Sequence, residues 1–235
     1  MTIRCDLDAW KRIEQIGVCA SSDQARPILT AVYIAPGDDK LTVTATDSYR
    51  LATTILEADC EPSDPILFPA KTAKDIRLAI SKVSGLGKNP DLFIKVKNHE
   101  ARVAAVDADE TPRFMQTVRL VEGNFPQYQA IFPADDEGLE GLTKAQLLAF
   151  VGEYGELNGL SERSRKDELL TAAQRCKIGP AYAAFNAGYL ASMSVAAAAT
   201  DRYPVQLRVR GPLKPVVLTS PADKNWRGLV MPVRT

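Results

Sequence analysis

One pattern constrains this chain more than its size does: the order strand, helix, strands occurs twice before Val121. A short strand at 2–7 leads into a helix for which Asp8 is the expected cap. Ala9, Ile13, Ile16 and Ala20 share one face of that helix, and Lys11, Arg12 and Gln15 lie away from it. Strand-like runs rich in Val, Ile, Leu and Thr follow at 28–34, 40–46 and 51–56, with Pro36-Gly37-Asp38-Asp39 as a turn between the first two. The second round begins with a short strand at 65–69. A helix is predicted over 72–83, closed by Gly85 and Gly87, and then strands at 91–96, 101–106 and 116–121. The expected class is α+β, with helices packed on antiparallel sheet.

Beyond Pro126 the pattern is less complete. The stretch from Pro126 to Gly141, with Pro133 ahead of Asp135-Asp136-Glu137-Gly138, is the expected boundary between domains at 1–133 and 134–235. Thr143 and Gln146 stand in capping-box spacing before Leu147, Leu148 and Val151. A helix is expected near 188–199 and strands at 205–209, 216–218 and 229–233. Leu169, Leu170, Ala173 and Cys176 recur at helical spacing within 161–177, and Gly179-Pro180 ends the run. Phe68-Pro69-Ala70 ahead of one helix is echoed by Phe185-Asn186-Ala187 ahead of another, which suggests two related domains, the second reduced.

Several chemistries find no support. The cysteines at 5, 19, 60 and 176 form no C-x-x-C pair and read as reduced core thiols, so no metal is expected. The one histidine, His99, sits in the turn Lys97-Asn98-His99-Glu100 and reads as a solvated turn residue. The acidic groups Asp38-Asp39, Asp107 with Asp109-Glu110, and Asp135-Asp136-Glu137 look like turn or linker charge. No phosphate loop or nucleophile motif accompanies them, so neither catalysis nor a cofactor is expected. The amino terminus has charges where an export signal needs an apolar run, and the uncharged stretch 178–200 carries Pro180, Asn186 and Gly188, so no membrane segment is expected. Lys and Arg number 29 against 29 Asp and Glu; this neutrality argues against coating nucleic acid by bulk charge but leaves room for a local basic stripe.

Such a stripe is present in the second helix. Ile76, Ala79, Ile80 and Val83 fall on one side, and Lys71, Lys74, Arg77 and Lys82 on the opposite arc. Ordered segments along the chain then carry a resemblance. Arg26-Pro27-Ile28-Leu29-Thr30 and Ala45-Thr46-Asp47-Ser48-Tyr49-Arg50-Leu51-Ala52 resemble the R-P-V-L-T and A-T-D-G-H-R-L-A segments of the bacterial sliding clamp, the beta subunit of the replicative DNA polymerase. Gly123-Asn124-Phe125-Pro126-Gln127-Tyr128, Phe185-Asn186 with Tyr189-Leu190, and Val230-Met231-Pro232-Val233-Arg234 are similar to G-x-F-P-D-Y, F-N-x-x-Y-L and V-M-P-M-R of the same family, in the same order.

The resemblance implies two DNA-clamp domains matching the family's second and third, and a ring of six domains around duplex DNA that tethers the replicative polymerase for processivity. With two domains per subunit, the ring implies a homotrimer. Its inner helices imply DNA contacts at Lys11, Arg12, Gln24, Arg26, Lys71, Lys74 and Arg77. A groove for short linear motifs of the polymerase and clamp loader is implied at Leu29, Thr46, Tyr49, Arg50, Leu51, Pro133, Leu229 and Met231. A cytoplasmic setting is implied, and the short form suggests a phage-encoded clamp in a bacterial host. Two departures stand out: Ser48 and Tyr49 replace the family's Gly and His, and 161–177 reads as helix where strands are expected. The alternatives are a clamp-derived adaptor or decoy that does not encircle DNA, and a DNA-tracking transcription activator.

Overall fold

The computed structural model describes residues 1–132, 140–141, 177–178, 183–198, 205–208 and 214–232. It divides into two units, Met1–Asp47 with Thr53–Pro126, and Ser48–Ala52 with Gln127–Thr235.

The first unit contains both rounds of the repeat. β1 (Thr2–Asp6) and α1 (Leu7–Gly17) are followed by β2 (Ala31–Gly37), β3 (Lys40–Thr46), β4 (Arg50–Glu57, of which the residues from Thr53 on belong to this unit) and β5 (Asp59–Cys60). β6 (Ile66–Pro69) and α2 (Ala70–Ile80) are followed by β7 (Asp91–Lys97), β8 (Glu100–Val106) and β9 (Pro112–Arg119). The rounds are interlocked, because each gives its first strand to the other's sheet. β1 pairs antiparallel with β7 in the order β5-β1-β7-β8-β9, and β6 pairs with β2 beside β3. Neither round can bury its apolar faces alone.

α1 and α2 lie side by side through their buried faces, Leu7, Trp10, Ile13 and Ile16 on one and Ala73, Ile76 and Ile80 on the other. Trp10 joins them: its indole Nε1–H donates to the Ala73 carbonyl at 3.0 Å, and its ring meets Phe68 edge-on at 5.3 Å. The indole therefore satisfies its one polar atom while filling the core.

Several boundaries differ from the sequence reading. The cap of α1 is Asp6, whose carboxylate accepts from Ala9 N–H at 2.7 Å; Asp8 lies inside the first turn, where its charge suits the helix dipole. The predicted strand 28–34 begins as a 3-10 turn, Pro27–Thr30, because Pro27 fixes a helical φ and Thr30 Oγ1 donates back to the Pro27 carbonyl at 2.7 Å. α2 starts at Ala70, directly after Pro69, and ends at Ile80, so Val83 lies outside it and Ala79 is only half-buried. β9 begins at Pro112 rather than Gln116 and stops at Arg119.

Turn chemistry explains the rest of the register. Asp38-Asp39 closes β2 to β3 with Asp39 at φ 52, and Asn98-His99 closes β7 to β8 with φ 52 and 61, residues that tolerate the left-handed region in two-residue hairpins. His99 is exposed, as a turn residue should be. Gly123 sits at φ 136, and a Cβ there would come within 2.7 Å of Ile28; two residues on, Phe125 stacks on Tyr33 at 4.9 Å. The Gly-x-Phe spacing thus fixes the exit of this unit's chain.

The second unit contains β10 (Glu140–Gly141), β11 (Lys177–Ile178), β12 (Ala183–Ala184), α3 (Ala187–Ala196), β13 (Gln206–Arg208), β14 (Val216–Ser220) and β15 (Asp223–Val230). β10, β13, β14 and β15 are neighbours in that order, and β11 pairs with β12. Asn186 caps α3 by accepting from Gly188 and Tyr189 N–H at 2.9 and 3.3 Å, and Phe185 beside it is fully buried. The last strand starts at Asp223, six residues before the expected Leu229. Its polar start hides it from a hydrophobicity reading, although Trp226 within it is buried. Lys177, placed at the end of a helix by its spacing, lies in β11. The rest of that predicted helix and the predicted helix from Thr143 lie outside the described residues.

Candidate functional site

The basic set expected to meet DNA belongs to the first unit, and the structure sorts it by how far each cation is already neutralised. On α2, Lys71 and Lys74 are exposed and carry no ion pair among the described residues. Arg77 one turn further is different. Its guanidinium forms a forked ion pair with the carboxylate of Glu14 on α1 through Nε and Nη2. Periodicity within a single helix could not reveal this partner, which comes from the neighbouring helix. On α1, Lys11 Nζ donates to Asp8 Oδ1 at 2.7 Å and Arg12 Nη1 to Gln15 Oε1 at 2.5 Å.

The loop after α1 carries Gln24, which is exposed, and Arg26, whose Nε donates to Asp23 Oδ2 at 3.0 Å. Hydrogen bonding from Ala25 N–H, then from Arg26, holds the Asp23 carboxyl below the usual carboxylate range. Surface ion pairs of this kind contribute little and exchange readily for a phosphate. The helix face can therefore make several weak contacts to a polyanion, led by the two uncommitted lysines.

The second unit gathers part of the expected groove. Leu51 and Leu229 are buried, whereas Tyr49 and Met231 are 55% and 40% exposed, large values for residues of their size. They are joined directly: Met231 N–H donates to the Tyr49 carbonyl at 2.8 Å. Tyr49 stacks on Tyr189 with centroids 6.0 Å apart and planes 18° from parallel, and the Arg50 guanidinium lies over the same Tyr189 ring at 4.9 Å. Arg50 Nη1 also donates to Ser192 Oγ, and Ser192 Oγ–H in turn donates to the Tyr189 carbonyl at 2.6 Å. The result is an aromatic and methionine surface with a fixed guanidinium, suited to an extended peptide with apolar side chains and an acceptor group.

Tyr189 and Ser192 were not among the expected groove residues. The Phe185-Asn186 signal pointed to them, because the cap at Asn186 sets the phase of α3 and so which side chains face Arg50. Leu29 and Thr46 are buried residues of the first unit, and Pro133 lies outside the described residues. Ser48 has φ 80, so the backbone keeps the left-handed turn that glycine favours although serine occupies it. Among the described residues, no group of three or more His, Cys, Asp or Glu could hold a metal ion, and no helix is long and apolar enough to cross a membrane.

A profile of the DNA polymerase III beta subunit, central domain, matches residues 8–127. The beta sliding clamp of Staphylococcus epidermidis is 27% identical over 244 aligned residues, covering 95% of this chain and 61% of that protein. The beta sliding clamp of Staphylococcus aureus is 26% identical with the same coverage, so the chain spans about three-fifths of these relatives. Among solved structures, the Bacillus subtilis DNA polymerase sliding clamp superimposes with a TM-score of 0.72 at 20% identity, over 100% of this chain and 64% of that one. The Thermotoga maritima DNA polymerase III beta subunit gives a TM-score of 0.75 at 14% identity, over 100% and 66%.

Proposed function

The chain belongs to the DNA polymerase III beta subunit family, and from that premise we propose that it serves as a sliding clamp, encircling duplex DNA and holding the replicative polymerase on it. The supporting observation is the pairing, in one chain, of a helix face with uncommitted lysines and an exposed aromatic-methionine surface. The helix face supplies weak phosphate contacts without base readout, so it allows sliding. Lys71 and Lys74 lead these contacts; Lys11, Arg12 and Arg26 join by exchanging their carboxylate or amide partners, with Gln24 as a neutral donor, and Arg77, held by Glu14, adds at most a minor contact.

The groove recruits the polymerase and the clamp loader through short linear motifs. Tyr49, Leu51, Leu229 and Met231 provide apolar walls, Arg50 and Thr46 polar anchors, and Leu29 and Pro133 complete the set. The clamp domains correspond to 1–133 and 134–235, and a ring of six such domains takes three copies at two domains each. The chain acts in the cytoplasm, where replication proceeds, and the protein is assigned no catalytic step.

The test is topological. Protein loaded onto nicked circular DNA should remain bound through gel filtration in high salt and be lost after linearisation. Equal loss from both substrates would contradict encirclement and leave the non-encircling adaptor. A polymerase-tail peptide should bind about tenfold or more weakly to Met231→Ala, a contact at the centre of the groove.

A further inference from the structure

The solvent face of the β7-β8-β9 sheet carries a charge pattern that neither the helix face nor the groove uses. Residues 93, 95 and 97 of β7, 100, 102 and 104 of β8, and 115, 117 and 119 of β9 alternate with neighbours that are buried or half-buried. In register, Lys95 lies opposite Arg102 and Arg102 opposite Thr117; one row along, Phe93 lies opposite Ala104 and Ala104 opposite Met115. Like charges placed directly opposite destabilise a sheet. Among the described residues, Lys95, Lys97 and Arg102 are exposed and engaged in no ion pair, whereas other cations of this sheet are paired, Arg4 with Asp91, Arg113 with Asp107 and Arg119 with Glu122. Lys95, Lys97, Arg102, Thr117 and Asn98 line a shallow cleft of about 360 Å³ together with Glu100. Met115, next along, is 56% exposed.

We propose that this face is a docking surface for an extended acidic segment of a partner protein, anchored by one apolar residue on Met115. Residues two apart on a strand are separated by about 6.6 Å, so Lys95 and Lys97 match carboxylates at alternate positions of an extended peptide. Arg102 across from Lys95 offers the fork that a carboxylate accepts in bidentate fashion. The apolar anchor finds a flexible thioether on Met115, in the same row as Ala104. Glu100 in the same cleft, opposite Lys97, repels an unbroken phosphate backbone but tolerates the uncharged intervening positions of a peptide. The sheet face thus favours protein over nucleic acid.

The experiment uses the full chain and a fluorescein-labelled synthetic peptide with aspartates at alternate positions, serines between them, and a leucine two positions from the nearest aspartate. Anisotropy should report saturable binding that weakens with salt. Lys95→Glu with Arg102→Glu should weaken it about tenfold or more, Met115→Ser should also weaken it, and Lys88→Glu on an exposed loop should not. Lys95→Glu alone should retain or raise thermal stability by removing the like-charge pair, which shows that any binding loss is not unfolding. Peptide affinity unchanged by the double reversal overturns the proposal. So does oligothymidine binding that depends on Lys95 and Arg102 where the peptide fails to bind.

Discussion

Arg77 illustrates how a residue that sequence places on a basic stripe can serve the fold first. Its ion pair with Glu14 bridges the two helices of the first unit, and both side chains are largely covered. Arg77→Ala is therefore expected to lower stability by about 1 kcal/mol, read as a reduced denaturation midpoint, with at most a small change in the salt dependence of DNA binding. Gly228 is constrained more severely. A Cβ at that position would meet Met193 Cε at 2.3 Å and the Trp226 ring at 2.8 Å, both buried, so Gly228→Ala should cost about 1 to 3 kcal/mol, measurable by urea denaturation. Neither constraint is visible in sequence, because each depends on which residue another element brings alongside. The Cys5 thiol shows the converse: read as an inert core residue, it is buried, and burial pushes it up to about 12, out of reach of thiolate chemistry at neutral pH.

At the scale of elements, strand and helix order was largely legible because alternation and amphipathic spacing are local properties. β3 runs over 40–46 as read, and the repeat of strand, helix and strands before Val121 is present. Misplaced ends share a cause: local hydrogen bonding at Asp6 and Pro27, or a polar start as in β15, competes with hydrophobic patterning. The expected groove residues rest on motif alone, whereas Tyr189 and Ser192, which meet Tyr49 and Arg50, needed the phase of α3. α2 makes a sharp prediction. Replacing Lys71 and Lys74 together with Ala should reduce the slope of log K against log salt for duplex DNA by about 2, since each phosphate contact contributes roughly 0.9. An unchanged slope would remove α2 from the DNA-facing surface.

The β8–β9 connection provides a pH test. Asp107 accepts from Arg113 Nε at 2.6 Å and from Thr111 and Asp109 N–H at 2.9 and 3.1 Å. These bonds, Arg113 foremost, hold its carboxyl below the usual carboxylate range. Because the folded value is depressed, the stabilisation is fully present above the ordinary aspartate value of about 3.9 and is lost as pH falls through the lowered one. Amide exchange at Thr111, corrected for its intrinsic pH dependence, should accelerate only in that acidic window, and Asp107→Asn should weaken the dependence.

For the whole molecule, the equality of 29 basic and 29 acidic residues separates two ways of staying on DNA. A protein held by bulk charge releases counterions and dissociates as salt rises; a closed ring is held by topology and needs only a local stripe. In the proposed clamp, the chain's neutrality suits the second, and Lys71 and Lys74 are the residues expected to supply the stripe. Closure then depends on copies. A ring of six domains built from subunits that contribute two each has three identical, head-to-tail contacts, which close only at one rotation per subunit. Native mass spectrometry across a dilution series should show a trimer of the 25.6 kDa chain that dissociates without accumulating longer open arrays. The same preparation should lose salt-resistant retention on circular DNA at the concentrations where the trimer disappears. A monomer that is retained equally well would show that three copies are not what holds this protein on DNA.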